Sequence, residues 1–194
     1  MLPIFMSKYF TYKNANIHYS TKGKGALIIL MHGFLEDLSI WRDTSKYLSN
    51  NYQVALIDLP GHGKSDCLGY VHSMELMAET ILQLMKTLKK RKCHLVGHSM
   101  GGYVALAFAE LHPDKVKSLS LVCSNARADK PEKKRERTKA IQLVKTKKEL
   151  FVEIAVPELF NDNLKTNLAG IKRIKKIAHK TSIQGTIAAI SGMR

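Results

Sequence analysis

Residues 93–101, Cys93-His94-Leu95-Val96-Gly97-His98-Ser99-Met100-Gly101, decide the fold, and the rest of the sequence supports it. A short apolar run ends at Gly97, and an apolar segment of helical length, Met100–Leu111, begins directly after Ser99. The G-x-S-x-G pattern between them is typical of a sharp strand-to-helix turn, in which the glycines make room for neighbouring backbone and the serine is strained. We expect the hydroxyl of Ser99 to project above a sheet edge, close to the free N–H groups of the helix start.

Four short apolar runs, each too short for a helix of its own, predict interior strands that are buried on both faces. They are residues 26–31, 53–57, 93–96 and 119–123. Segments with helical periodicity alternate with them, at residues 40–48, at Met100–Leu111 and after the N-cap candidate Ser73. The face of the helix after Ser73 is formed by Met74, Met77, Ala78, Ile81, Met85 and Leu88. This alternation predicts an α/β fold with a mostly parallel sheet and helices on both faces, preceded by a β-hairpin in residues 9–20.

The alternation stops after the fourth apolar run. Residues 128–194 contain amphipathic helical stretches and no convincing buried strand, so we interpret them as a helical insertion over the sheet. The sequence is therefore divided into a core, residues 1–126, and a helical segment, residues 127–194.

The formal charge of +15 permits an anionic partner, but its distribution argues against nucleic acid. Residues 127–194 carry 17 basic and 7 acidic side chains, against 14 and 9 in residues 1–126. The densest basic run, residues 130–139, has no aromatic residue that could stack on bases, and a solvated helix face is the better interpretation.

The cellular environment is suggested by the cysteines and by the absence of long apolar runs. No stretch reaches the roughly 18 apolar residues of a membrane-spanning helix, and the first residues match no targeting pattern. Cys67, Cys93 and Cys123 are odd in number and widely spaced, which favours reduced, buried thiols over disulfides or a metal site. We expect a cytoplasmic protein without a bound metal.

The strand, Ser99 and the following helix resemble the nucleophile elbow of the α/β-hydrolase family, and two further motifs occur in the family's order. His32-Gly33-Phe34 resembles its oxyanion loop, and residues 58–65 resemble its D-x-x-G-x-G-x-S loop. The resemblance implies that Ser99 is the nucleophile and that the backbone N–H groups of Phe34 and Met100 form the oxyanion hole. Each such donor contributes on the order of 3 kcal/mol to transition-state stabilisation.

The resemblance also implies a lid, a pocket and a reaction class. The helical segment is similar to the family's lid, and Phe34, Trp41 and His98 are candidates to line the substrate pocket. His32 and His98 are assigned to packing and loop hydrogen bonds rather than to base catalysis. A serine at position 99 favours carboxylesterases, enol-lactonases, cofactor-free haloperoxidases and carbon–carbon bond hydrolases over haloalkane dehalogenases, which use aspartate. The implied activity is cleavage of a small ester, thioester or lactone through an acyl-enzyme, without a cofactor.

A general base is missing from the expected place. The family supplies an acid and a histidine after its seventh and eighth strands, whereas this sequence predicts six. Beyond Ser99, the histidines are His112 beside a proline and His179 within the helical segment. The sequence therefore predicts a truncated hydrolase with impaired activity. The alternatives are a non-catalytic binding module or a gene product without activity of its own.

Two missing strands would also leave residues 118–123 as an exposed apolar sheet edge. Such an edge is a template for pairing with another chain, so we expect self-association or a partner there.

Overall fold

A computed structural model describes residues 6–160 and 164–194 of the chain. Its six strands are β1 (Met6–Tyr12), β2 (Ala15–Lys22), β3 (Leu27–Met31), β4 (Gln53–Ile57), β5 (Cys93–His98) and β6 (Val116–Val122). Its helices are α1 (Arg42–Leu48), α2 (Met74–Thr87), α3 (Met100–Leu111), α4 (Pro131–Ala155), α5 (Leu164–Ala178) and α6 (Ile183–Gly192). Short 3-10 turns occupy Leu38–Trp41, Pro113–Lys115 and Pro157–Leu159.

The strands form one mixed sheet in the order β1-β2-β4-β3-β5-β6. β1 and β2 form the predicted hairpin, which turns at Lys13 and Asn14, both with positive φ. β2 also pairs antiparallel with β4, while β3, β4, β5 and β6 run parallel. The predicted α/β architecture with a mostly parallel sheet is therefore confirmed.

Helices cover both faces of the sheet, which explains the unbroken apolar run of β3. Ile29 faces a core formed with α2 and α3, whereas Leu30 faces a smaller cluster that contains Trp41. Every residue of β3 is buried, because neighbouring strands enclose its edges and helices enclose its faces. Ser73 caps α2 as predicted, since its Oγ accepts a hydrogen bond from Leu76 N at 3.2 Å.

The expectation of four interior strands is wrong for β6, which is an edge strand among the described residues, whereas the expectation of a sheet edge at residues 118–123 is confirmed there. Its exposed residues alternate with half-buried ones, and Val122 is 37% exposed. Cys123, which follows directly, is exposed instead of buried, because no further described strand covers this edge. Cys67, Cys93 and Cys123 are all free thiols.

The helical segment packs over the carboxyl ends of the parallel strands. Val144 and Val152 of α4, Ile174 of α5 and Ile190 of α6 form a second core with Leu35. α6 also contacts the sheet-bearing part, because Ala188 O accepts a hydrogen bond from the backbone N–H of the loop before α2. The boundary at residue 127 between the core and the helical segment stays a prediction. None of the helices in the described part of the chain is both long and apolar enough to span a membrane.

Candidate active site

Ser99 lies at the turn between β5 and α3 in a strained backbone conformation. Its φ of 49° and ψ of −114° lie outside the regions that side-chain-bearing residues usually adopt. The two flanking glycines make this turn possible. A Cβ on Gly97 would lie 2.2 Å from Gly101 O, and a Cβ on Gly101 would lie 2.5 Å from Met31 O. The G-x-S-x-G pattern is thus required by close backbone packing.

Hydrogen bonds to the end of β6 and the residues after it hold the strained turn in place. Ser99 N donates to Val122 O at 3.0 Å, and Ser99 O accepts from Gly102 N and from Ser124 Oγ, both at 2.9 Å. Sequence reasoning missed Ser124, because its partner is 25 residues away and no local pattern marks the pair. The turn therefore has a fixed geometry, with both backbone polar groups of Ser99 satisfied.

The predicted oxyanion loop lies against the serine. A Cβ built on Gly33 would lie 2.7 Å from Glu36 Oε2, 2.9 Å from His98 Nδ1 and 3.2 Å from Ser99 Cβ, so a side chain here would displace these neighbours. The Phe34 N–H has no hydrogen-bond partner among the described residues. Met100 is the first residue of α3, where backbone N–H groups lack a partner within the helix. The arrangement leaves these two amides available beside Ser99.

A buried carboxylate that sequence reasoning missed joins the oxyanion loop to the nucleophile turn. Glu36 is 7% exposed, and its Oε2 accepts from Gly33 N at 2.6 Å and from His98 Nδ1 at 2.8 Å. The hydrogen bond to Glu36 and its negative charge raise the pKa of His98 against the effect of burial. The signal in the sequence is a carboxylate three residues after Gly33, in reach of that loop's backbone.

Ser99 opens into a cleft of about 290 Å³ between the sheet and the helical segment. The cleft is lined by Gly33, Phe34, Glu36, His98, Ser99, Cys123, Leu159, Phe160 and Ile174. The last three belong to the helical segment, which therefore roofs the serine. Phe34 also contacts Phe151 of α4, with ring centroids 6.3 Å apart. An apolar roof over a polar floor suits an acyl group.

Trp41, which is predicted to line the substrate pocket, is not among the residues that line the cleft of Ser99 itself. It is 7% exposed and packs with the strand residues of the smaller core, where the 3-10 turn Leu38–Trp41 places it. It lines an adjoining cleft of about 330 Å³ together with His98, whose ring centroid lies 6.5 Å away. His98 and Phe34 do line the cleft of Ser99, and His98 borders both clefts.

None of the described histidines is hydrogen-bonded to Ser99 Oγ. His32 Nδ1 donates to Gly33 O at 2.7 Å, and its Nε2 accepts from Leu59 N at 2.9 Å, so both ring nitrogens are used in loop contacts. His112 pairs with Glu79 at the far end of α3, at 2.7 Å.

His179, the other candidate base beyond Ser99, pairs with Glu153 at 3.1 Å and does not line the cleft. The described residues also contain no group of three side chains placed to hold a metal ion.

Comparison with known proteins identifies the family whose members share this fold. The model of the alpha/beta hydrolase fold family matches residues 26–147. The chain is 42% identical over 100 residues to a dihydrolipoyllysine-residue acetyltransferase component of the acetoin cleaving system of Pseudomonas putida, covering 52% of this chain and 27% of that protein. It is 34% identical over 122 residues to the monoacylglycerol lipase abhd6-A of Xenopus laevis, covering 60% of this chain and 36% of the lipase.

A solved structure is similar over nearly the whole chain. The thermophilic esterase from Thermogutta terrifontis, solved with malate bound, superposes with a TM-score of 0.86 and 30% identity. The superposition covers 98% of this chain and 72% of the esterase. In contrast, the chain spans well under half the length of the two curated relatives. The strand, the strained serine and the helix at residues 93–111, together with a family match over residues 26–147, show that this chain belongs to the alpha/beta hydrolase fold family.

Proposed function

We propose that this chain carries the nucleophile and the oxyanion hole of a hydrolase that cleaves small carboxylic esters, thioesters or lactones at Ser99. The observation that carries the proposal is the strained Ser99 turn, which opens into a cleft beside the unpaired Phe34 N–H and the start of α3. In this reaction Ser99 Oγ attacks the carbonyl carbon while a base outside the described residues takes its proton, and the N–H groups of Phe34 and Met100 stabilise the resulting oxyanion. The alcohol or thiol then leaves with that proton, and water hydrolyses the acyl-enzyme.

The lining of the cleft and the similar proteins support a small acyl substrate. Phe34, Leu159, Phe160 and Ile174 offer apolar surface for an acyl chain, while Glu36 and His98 lie at the polar end. The similar proteins include a lipase and an esterase. Nucleic acid is not part of the proposal, because Lys133 and Arg135 of the basic run form ion pairs within their own helix. The three free thiols favour a reducing compartment such as the cytoplasm.

Chemical rescue with imidazole tests the proposal. Because a serine hydroxyl is a weak nucleophile without a base, and removal of the base histidine from a triad lowers kcat on the order of 10⁶-fold, the chain alone should turn over esters very slowly. We expect imidazole, supplied as an external base, to raise Ser99-dependent release of p-nitrophenolate from a short p-nitrophenyl ester. The measured quantity is the rate of the chain minus that of Ser99→Ala at each imidazole concentration.

The control is Ser118→Ala, which removes an exposed hydroxyl of β6 far from the cleft and should behave as the unchanged chain. A zero difference between the chain and Ser99→Ala at all imidazole concentrations would refute the hydrolase proposal. It would favour the alternative of a ligand-binding module, which the absence of a histidine on Ser99 Oγ among the described residues also allows.

We also propose that the β6 edge mediates self-association, because its outer backbone has no partner strand in the described part of the chain. We expect the chain to show a concentration-dependent rise in mass by light scattering. Ser120→Lys places a charge on the exposed side of β6 and should shift the population towards monomer.

Thr87→Lys adds the same charge at the exposed end of α2, away from the edge, and serves as the matched control. A monomeric mass for the unchanged chain at high concentration, or equal effects of the two lysine variants, would contradict edge pairing.

A further inference from the structure

A second serine, Ser7, lies on the edge strand β1, towards the opposite edge of the sheet from Ser99. It is linked to a histidine and a buried carboxylate. Ser7 Oγ lies 2.6 Å from His18 Nε2, and His18 Nδ1 lies 2.7 Å from Asp58 Oδ2. Ser7 is on β1, His18 is on β2, and Asp58 follows β4. Because β4 and β3 separate β2 from β5, this constellation is distinct from the turn at Ser99.

Asp58 is held in place and kept ionised by its surroundings. It is 2% exposed, and it accepts hydrogen bonds from Leu38 N at 2.8 Å and from Lys64 N at 2.9 Å. Burial raises the pKa of Asp58, but the hydrogen bond from His18, the nearby His32 and the backbone N–H groups outweigh it and lower the pKa overall. A fixed carboxylate is therefore available to orient the imidazole.

The orientation of His18 suits it to accept a proton from Ser7. With Nδ1–H donated to the Asp58 carboxylate, the neutral ring presents the lone pair of Nε2 to the Ser7 hydroxyl. His18 is 4% exposed, whereas Ser7 is exposed, so a reactant can reach the serine but not displace the imidazole. These are the relative positions of nucleophile, base and orienting acid that activate a serine.

Ser7 and His18 line a pocket of about 250 Å³ whose other walls favour an anion. Arg42 and Lys64 line it, and neither forms an ion pair with a described residue. Ser20, which pairs with Ser7 across the hairpin, also lines it. Ser20 is 3% exposed, and its Oγ has no hydrogen-bond partner among the described residues. A buried hydroxyl without a partner, on the wall of a pocket with two cations, indicates a polar ligand.

We propose that Ser7, His18 and Asp58 form a second nucleophilic site, which takes an acyl group from a small anionic acyl donor such as an acyl phosphate. Ser7 Oγ forms a bond to the acyl carbon while His18 Nε2 takes its proton. The bond from the acyl carbon to the leaving group then breaks, and the proton passes to the departing phosphate. Attack by water on the ester of Ser7, with His18 again moving the proton, releases the carboxylic acid and restores the serine. Arg42 and Lys64 bind the negative charge of the donor.

Labelling with a fluorophosphonate in the Ser99→Ala background tests the nucleophile independently of Ser99. The adduct is stable, and peptide mass spectrometry locates it. Ser118 is a matched internal control, because its Oγ lies 2.8 Å from His94 Nδ1 without a carboxylate on that ring among the described residues. We expect labelling of Ser7 and not of Ser118.

Two variants test the base and the anion separately. His18→Asn retains a donor for Asp58 but no base, and should slow labelling of Ser7 by about 100-fold or more, the usual contribution of a positioned general base. Inorganic phosphate and acetyl phosphate should each protect Ser7 from the label, and Arg42→Ala should weaken that protection. Circular dichroism of each variant checks that the fold is retained.

The result that overturns the proposal is equal labelling of Ser7 and Ser118, or no labelling of Ser7 in the folded Ser99→Ala protein. Labelling of Ser7 that His18→Asn leaves unchanged would also overturn it, since the imidazole would then have only a structural role. Labelling that neither phosphate compound slows would overturn the anionic class of donor. A failure of Ser99 to react does not contradict the proposal for Ser7, because the label on each serine is measured on a separate peptide.

Discussion

The free energy of unfolding is expected to fall by about 5 kcal/mol between about pH 6 and pH 4, as His62 and His72 acquire protons in the unfolded chain alone. Burial, and after it the nearby His32, lower the pKa of His62 from 6.5 to about 3. Burial likewise lowers the pKa of His72 to about 4. Small domains have a total stability of about 5–15 kcal/mol, so acid should unfold much of the population.

The sign follows from where each proton binds. Below pH 6.5 the unfolded chain binds a proton at each imidazole, while folded His72 stays neutral down to about pH 4 and folded His62 down to about pH 3. Each group then contributes about 1.4 kcal/mol per pH unit, and both contribute in favour of unfolding. The pKa of His98 is raised in the folded protein, so its protonation favours folding as the pH falls. That gain is complete near pH 6.5, the ordinary pKa of histidine, and therefore does not offset the loss at lower pH.

Urea titrations at several pH values between 7 and 4 measure this slope. His62→Phe removes one buried titrating ring and should reduce the slope by about 1.4 kcal/mol per pH unit, whatever its effect at pH 7. His94→Gln removes an accessible imidazole of β5 and is the matched control. A free energy of unfolding that stays constant from about pH 6 to pH 4 would contradict the prediction.

Gly101→Ala should destabilise the fold by about 3 kcal/mol or more and abolish the reactivity of Ser99. The new Cβ would lie 2.5 Å from Met31 O and 2.7 Å from His32 O, and both are backbone atoms in or directly after the central strand β3. Relief of the overlap must move either α3 or the loop that carries Gly33 and Phe34. Either movement separates the serine from its oxyanion donors.

Thermal unfolding and the imidazole-dependent ester assay measure the two effects. Gly170→Ala is the matched control for stability only, because the nearest atom to its new Cβ is Phe160 Cε1 at 2.9 Å, the end of a side chain that can rotate but that also lines the cleft of Ser99. Alanine is also favoured over glycine within a helix by about 1 kcal/mol, so this variant should be close to neutral or stabilising. Equal stability of Gly101→Ala and the unchanged chain would refute the packing argument.

Much of the fold could be predicted from local patterns. The uninterrupted apolar run of β3 predicts a strand enclosed on both faces, and the structure confirms it. Ser73 and the apolar face of α2 predict that helix and its burial. The local pattern of β6 was misleading, because its run of Leu119, Leu121 and Val122 resembles an interior strand. Its exposed edge was predicted only from the number of strands in the sequence, which is not a local property.

The residues of the candidate site could likewise be predicted only where local sequence determines them. The turn at Ser99 and the loop at Gly33 and Phe34 could be predicted, because glycine spacing within a few residues encodes a sharp backbone turn. Glu36 was missed, since its contact with His98 joins residues 62 positions apart. The sequence did not show which of two adjoining clefts Trp41 lines, because an aromatic residue near a motif carries no information about the side of the strand on which it packs.

By itself, the sequence determined the family, the strand and helix order and the serine at the turn, since each depends on residues close together in the chain. Tertiary structure decided the Glu36 bridge to the nucleophile turn and the meeting of Ser7, His18 and Asp58. Local backbone preferences and burial periodicity are determined by the residues of short segments. Contacts between side chains of distant segments arise only when sheet order and register bring them together.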